Sequence, residues 1–195
     1  MNSAPRLAVL GSGKGSNFVA IQEAIQGGRL NARIELVISD QPGAPILAKA
    51  AAFGLATATL PSSPFRTKLS PEGEEALVGL LQWHRIEWVI LAGYMRVVKE
   101  PLLSAFANRI INIHPSLLPA FKGLKAWEQA LAAGVRETGC TVHFVNRDID
   151  AGEIIAQQSV PVLDGDTPES LHERIQVAEH ELYPAALGMV FRQGI

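Results

Sequence analysis

Apolar residues fall into two kinds of run along this chain. The first kind is short and nearly continuous. RLAVL (Arg6 to Leu10), IELVIS (Ile34 to Ser39) and WVILAG (Trp88 to Gly93) leave almost no polar position between hydrophobic ones. That is the pattern of strands buried on both faces, as in a parallel sheet. In the second kind, apolar positions recur at helical spacing over Asn17 to Gln26, Ala44 to Phe53 and Glu72 to His84. Ser70, Pro71 and Glu72 supply a capping hydroxyl, a first-turn proline and a negative charge suited to a helix N-terminus. IINIH (Ile110 to His114) predicts a further strand that stops at Pro115. Beyond it the pattern predicts a helix over Ala126 to Ala133, strands over Thr141 to Val145 and Ile154 to Val162, and a last helix from Pro168 to Phe191. Strand and helix alternate, so the expected fold class is α/β, with a doubly wound, mostly parallel sheet.

Composition narrows this only a little. With 195 residues and no repeat, low-complexity tract or linker, residues 1–195 are expected to form a single domain around one core. Seventeen basic residues against nineteen acidic ones give a net charge of -2. Bulk charge therefore offers no footprint for nucleic acid or an anionic membrane, although a local anion site remains open. The single cysteine, Cys140, excludes an internal disulfide and a multi-thiolate metal centre, and is expected to be a small buried residue. The N-terminal apolar run LAVL is too short for a signal peptide core or a membrane span, which makes a cytoplasmic protein the expectation.

Candidate chemistry begins where the first strand ends. GSGKGSN (Gly11 to Asn17) leads directly into the first helix. Glycines there allow close backbone approach, and the free N–H groups of a helix N-terminus attract an anion. The spacing is not that of a P-loop, because Gly15 follows Lys14. Nor is it GxGxxG, because Ser16 stands in place of the third glycine, although Asp40 after the second strand could mimic a ribose-holding acid. A phosphate-bearing small molecule is the favoured ligand, with a dinucleotide and a ligand-free tight turn as the alternatives.

NIHPSLLP (Asn112 to Pro119) carries more information. Residues i and i+2 of a strand share a face, so Asn112 and His114 point together at a strand's carboxyl end, where open α/β sheets bind ligands. An amide donor beside an imidazole suits chemistry in which a carbonyl oxygen gains negative charge. RDIDAGE (Arg147 to Glu153) offers two aspartates, Asp148 and Asp150, either of which could reach His114. No second His or Cys stands at metal-ligand spacing, so no metal is expected. His143 is expected to pack within its strand, with a ligand-facing role as the alternative.

Taken in order, GSGKGSN, LAGYMR (Leu91 to Arg96), NIHPSLLP, TGCTVHFV (Thr138 to Val145), DIDAGEII (Asp148 to Ile155) and AEHELYP (Ala178 to Pro184) resemble the phosphoribosylglycinamide formyltransferase family over almost the whole chain. The resemblance implies a Rossmann-like formyltransferase fold, with 10-formyltetrahydrofolate as co-substrate and glycinamide ribonucleotide as acceptor, in a monomer or homodimer. It implies Asn112, His114 and Asp150 as catalytic residues. Gly15, Ser16 and Asn17 correspond to the loop for the phosphoribosyl group, and Glu179 to a carboxylate on its ribose. Met95, Arg96, Val97 and Val98 correspond to the folate-lining segment, facing Asn112 and the loop from Val145 through Asp148 to Asp150. Lys68, in SPFRTKLSPEG, is the candidate for a basic residue near the folate tail. Lys125, in GLKAWEQ, replaces the histidine of some relatives.

Related formyl-handling enzymes are the nearest rivals. Formyltetrahydrofolate deformylases usually carry an N-terminal domain, and methionyl-tRNA formyltransferases a C-terminal domain with a more basic surface. A non-catalytic dinucleotide sensor would have no need of NIHPSLLP together with DIDAG.

Overall fold

The near-continuous apolar runs become the inner strands of one twisted sheet in a computed structural model that describes residues 4–193. The strands are β1 (Arg6–Leu10), β2 (Arg33–Ser39), β3 (Ala56–Thr59), β4 (Trp88–Leu91), β5 (Ile110–His114), β6 (Glu137–Phe144) and β7 (Ile154–Pro161). They lie in the order β3-β2-β1-β4-β5-β6-β7. From β3 through β5 every neighbour is parallel, whereas β6 and β7 join antiparallel. The reversal of strand order beside β1 brings the carboxyl ends of β1, β4 and β5 to one crevice, the usual ligand position in such sheets.

The helices are α1 (Ser16–Gln26), α2 (Pro45–Ala52), α3 (Pro71–Trp83), α4 (Leu102–Ala105), α5 (Ala126–Ala132) and α6 (Pro168–Gln193). Leu7, Ala8, Val9 and Leu10 are all fully buried, which requires cover on both faces of the sheet. Leu7 and Val9 join a core with Phe18, Ile21, Ile46 and Leu187 from α1, α2 and α6. Ala8 and Leu10 join a second core with Leu77, Leu81 and Leu102 from α3 and α4. The long α6 is fastened to the sheet by Tyr183, whose hydroxyl meets the Leu91 and Ile111 carbonyls at 2.9 and 3.0 Å. α3 begins as its sequence predicts, with the Ser70 hydroxyl accepting the Gly73 N–H at 3.2 Å and Pro71 in the first turn.

Three elements exceed the expectations from sequence. β3 reads ATAT and is mostly exposed, so it has no apolar run to betray it and owes its existence to pairing with β2. α4 is four residues long, too short for a helical period. β6 starts at Glu137, ahead of its predicted start, because its first residues are held by the ladder to β7. Cys140 is fully buried within β6, and burial pushes its thiol up to about 12. No helix among the described residues is long and apolar enough to cross a membrane.

Candidate active site

Asn112 and His114 lie on the face of β5 that also carries Ile110, on the side of the core formed with α3 and α4, while Ile111 and Ile113 face the opposite core. The antiparallel register sets His143 of β6 directly across from Asn112 and Thr141 across from His114. Asn112 Nδ2 is 3.2 Å from His143 Nε2. The other nitrogen of His143, Nδ1, lies 2.8 Å from the Phe144 carbonyl. A carbonyl only accepts, so Nδ1 carries the proton and Nε2 presents a lone pair to the Asn112 amide. Burial lowers the His143 pKa and keeps this ring neutral.

His114 is 5% exposed, and both of its nitrogens face oxygen acceptors. Nδ1 lies 3.3 Å from Asp150 Oδ2, and Nε2 lies 2.9 Å from the Phe121 carbonyl. That surrounding satisfies a doubly protonated ring. Asp150 Oδ2 also accepts the Gly123 N–H at 2.8 Å, while Asp150 Oδ1 is 3.8 Å from His143 Nε2, beyond hydrogen-bond reach. Asp148, the other carboxylate of the loop, is exposed.

Local backbone explains how the loop delivers Asp150. Asp150 adopts a left-handed φ of 48°, a conformation that Asp tolerates better than most residues. A Cβ on Gly152 would lie 1.7 Å from the Phe144 carbonyl oxygen, so only glycine lets the loop close onto the end of β6. Behind His114, the turn from Pro115 to Pro119 is anchored by buried Thr141. Its hydroxyl donates to the Ser116 carbonyl at 2.6 Å and accepts the Leu118 N–H at 3.0 Å.

The glycine loop faces the same crevice. Gly15 caps α1 with φ 69°, and a Cβ there would press within 2.6 Å of Ile46. Ser16 is the first residue of the helix, and Asn17 donates to Glu179 Oε2 at 2.8 Å across the α1 and α6 contact. Asn17 Oδ1 is buried without a partner. Burial pushes the Glu179 carboxyl up to about 7, against the opposing hydrogen bond from Asn17.

Residues 5–187 match the formyl transferase family. A phosphoribosylglycinamide formyltransferase of Bacillus subtilis is 40% identical over 182 residues, which cover 93% of this chain and 92% of the relative. The chain belongs to this family. The crystal structure of glycinamide ribonucleotide transformylase 1 from Symbiobacterium toebii superimposes with a TM-score of 0.93 at 45% identity, covering 100% of this chain and 90% of that one. The human trifunctional purine biosynthetic protein adenosine-3 is 44% identical over 185 residues, 95% of this chain but 18% of that protein's length.

In this formyl transferase the segment Met95 to Val98 follows β4 beside the crevice. Met95 is 57% exposed and its N–H meets the Ser12 hydroxyl at 2.9 Å. Val97 N–H donates to the Thr67 carbonyl at 2.8 Å, and Val98 is buried in the core with Leu77. Arg96 pairs with Asp40 at 2.7 Å and also donates to the Phe65 and Lys68 carbonyls. Asp40, offered by the sequence as a ribose-holding acid under the alternative dinucleotide reading, is here the ion-pair partner of Arg96. Its oxygens accept from Ser12, Gln41 and Arg96 within a buried cluster, so its charge is already paired inside the fold. Lys68 itself is exposed, with Nζ 4.6 Å from the Phe65 ring centroid. Val145 N–H bonds the Ile110 carbonyl at 2.9 Å and opens the loop to Asp150. Sequence reasoning missed Phe121; His143 packs within its strand as expected, and the cross-strand register adds its contact with Asn112. Among the described residues no group of three or more His, Cys, Asp or Glu side chains is arranged to hold a metal ion.

Proposed function

We propose that this chain transfers the formyl group of 10-formyltetrahydrofolate to the amine of glycinamide ribonucleotide in purine biosynthesis, with Asn112, His114 and Asp150 at the reacting centre. The observation that carries this reading is the 3.3 Å contact of His114 with Asp150, beside an oriented Asn112 at the carboxyl end of β5.

One N–H of Asn112 is taken by His143, and the second is free to meet the oxygen on which negative charge grows as the amine attacks the formyl carbon. His114 Nε2 already donates to a carbonyl oxygen, that of Phe121. Exchanging it for the formyl oxygen sets the same donor on the reacting group. Asp150 balances the positive ring and orders a water for proton relay. A bond forms between the amine nitrogen and the formyl carbon, and the bond from that carbon to the folate nitrogen breaks. The proton lost by the amine ends on the departing folate nitrogen. The step needs no covalent enzyme intermediate and no metal.

The N-terminus of α1 at Gly15 and Ser16 suits the acceptor's phosphate, and the unpaired Asn17 Oδ1 with Glu179 suits its ribose hydroxyls. Exposed Met95, Leu124 and Ile149, at 57%, 72% and 56%, offer apolar surface to a flat folate ring near Arg96, Val97, Val98, Val145 and Asp148. Lys68 sits on the strand of loop tethered to Arg96, where a cation suits the carboxylate tail.

Incubation with 10-formyltetrahydrofolate, with and without glycinamide ribonucleotide, tests the reaction. Folate release that ignores the amine would mean hydrolysis instead of transfer. Asn112→Ala and His114→Ala should each lower turnover by about two to three orders of magnitude. Near-normal turnover in both removes this mechanism.

A further inference from the structure

Three paired residues form one row across the outer half of the sheet. His114 of β5 stands opposite Thr141 of β6, and Thr141 stands opposite Gln157 of β7. Directly opposed residues share a face of the sheet. Cys140 and Val142, on either side of Thr141, point into the core on the other face. The row therefore runs on one face from the reacting histidine out to the edge strand. His114 and Thr141 are buried, whereas Gln157 at the far end is exposed.

The turn that follows His114 lies across this row. Gly139, two residues before Thr141 on the same face, makes room for it: a Cβ there would lie 2.0 Å from the Gln158 carbonyl oxygen and 2.9 Å from the Leu117 side chain. Gln157 Nε2 donates to the Leu118 carbonyl and to the Thr141 hydroxyl, each at 2.9 Å. Thr141 Oγ1 gives its own proton to the Ser116 carbonyl and accepts the Leu118 N–H. The hydroxyl then has its proton and both lone pairs engaged, and both amide hydrogens of Gln157 are engaged as well. An oxygen in place of that amide nitrogen would face a carbonyl oxygen and a hydroxyl whose proton is already committed.

Beyond the turn the chain comes straight back to the site. Ser116 Oγ holds the Ala120 carbonyl at 2.6 Å, the Phe121 carbonyl sits 2.9 Å from His114 Nε2, and the Gly123 N–H meets Asp150 Oδ2 at 2.8 Å. The height of the turn above Thr141 thus sets the place of the groups on either side of the His114 ring.

We propose that Gln157 is a positioning residue for formyl transfer: from the edge strand it holds the turn after His114 down on Thr141, and so fixes the imidazole between Phe121 and Asp150. The inference rests on the reading of His114 as the donor to the formyl oxygen. Gln157 acts on the rate of the reaction and leaves the binding of both substrates to other residues.

Steady-state kinetics of Gln157→Leu, Gln157→Glu, Thr141→Val and the combined Gln157→Leu/Thr141→Val protein test it, with folding checked by thermal melts. Gln157→Leu should lower kcat by about tenfold, as a small misplacement of a reacting group does, while KM for both substrates stays within about twofold. Gln157→Glu keeps the shape of the side chain but, when ionised, turns an acceptor towards the Leu118 carbonyl. Its kcat should fall at least as far at about pH 8 and climb back towards wild type by about pH 5.5, as the carboxyl gains a proton to donate, whereas Gln157→Leu keeps a constant fraction of the wild-type rate. Gln157→Leu should cost less in the Thr141→Val background than in the native one, since both residues hold one turn. An unchanged kcat in Gln157→Leu, a loss carried by KM instead, a Glu variant whose deficit ignores pH, or fully additive losses would each overturn the proposal. If Gln157→Leu does not fold, full turnover of Gln157→Glu at the alkaline end does so. Wild-type protein that releases no folate with both substrates present is a different result. It sinks the formyl-transfer reading of His114, and this inference with it, before any variant is made.

Discussion

Replacing His143 with leucine should slow the reaction only through Asn112. In the native site the Phe144 carbonyl holds the proton on His143 Nδ1, and the bare Nε2 accepts an N–H from Asn112 at 3.2 Å. Leucine fills much of the same buried space but accepts nothing. The Asn112 amide can then turn over and present its oxygen, a repulsive group, to the developing oxyanion. The orienting bond is worth about 1 kcal/mol net, and a difference of that size corresponds to a loss of about fivefold to tenfold in kcat. Asn112→Ala, which removes the donor itself, should cost about two to three orders of magnitude. Because His143 works through Asn112, the double variant should be no slower than Asn112→Ala alone, so the coupling equals the whole His143 effect. Single-turnover release of folate at saturating donor and amine measures each rate without product release. Equal losses from His143→Leu in the native and Asn112→Ala backgrounds would show that His143 acts on something other than the amide, and would refute this reasoning.

Asp150→Asn should lower turnover by roughly ten- to a hundredfold, since the amide keeps the side chain's shape beside His114 Nδ1 but removes its charge; undiminished turnover would detach Asp150 from the chemistry. Glu179 binds its proton more tightly in the folded chain, where burial raises it to about 7, than in the unfolded chain. The stability it contributes is full below the unfolded value of 4.5 and is lost as pH rises through the folded one, a swing of about 3 kcal/mol. Urea unfolding of Glu179→Gln should therefore decline less between about pH 5 and about pH 8 than wild type, and parallel declines would argue against a buried proton on Glu179. Gly152→Ala would force a methyl to within 1.7 Å of the Phe144 oxygen. It should cost about 2 kcal/mol or more in stability and displace Asp150, with turnover falling further than stability alone explains; normal kcat would show that the loop finds another route to His114.

Much of this architecture was legible in the amino-acid sequence. The runs RLAVL, IELVIS and WVILAG say "buried on both faces" because their composition is a local record of what surrounds them, and each became a parallel strand. Ser70 and Pro71 likewise announce the start of α3 through capping chemistry that involves only neighbouring residues. β3 was silent for the complementary reason. An exposed edge strand of alanine and threonine is defined by its partner in the sheet, and nothing within it records that partner.

The site divides along the same line. Strand periodicity alone put Asn112 and His114 on one face, because alternation is a property of a single strand. The choice between Asp148 and Asp150 could not be made that way: it depends on a left-handed turn at Asp150 and on the tight approach of Gly152 to β6, both set across the chain. The pairing of strand-packed His143 with Asn112, and of Asp40 with Arg96, likewise joins residues far apart in the chain. By itself the sequence determined the α/β layering, the shared face of Asn112 and His114 at the end of β5, and the glycine loop that opens α1, since these follow from local periods and short spacings. Only the tertiary structure decided which distant groups hold that pair, because antiparallel register and loop closure join residues about whose separation the intervening chain says nothing.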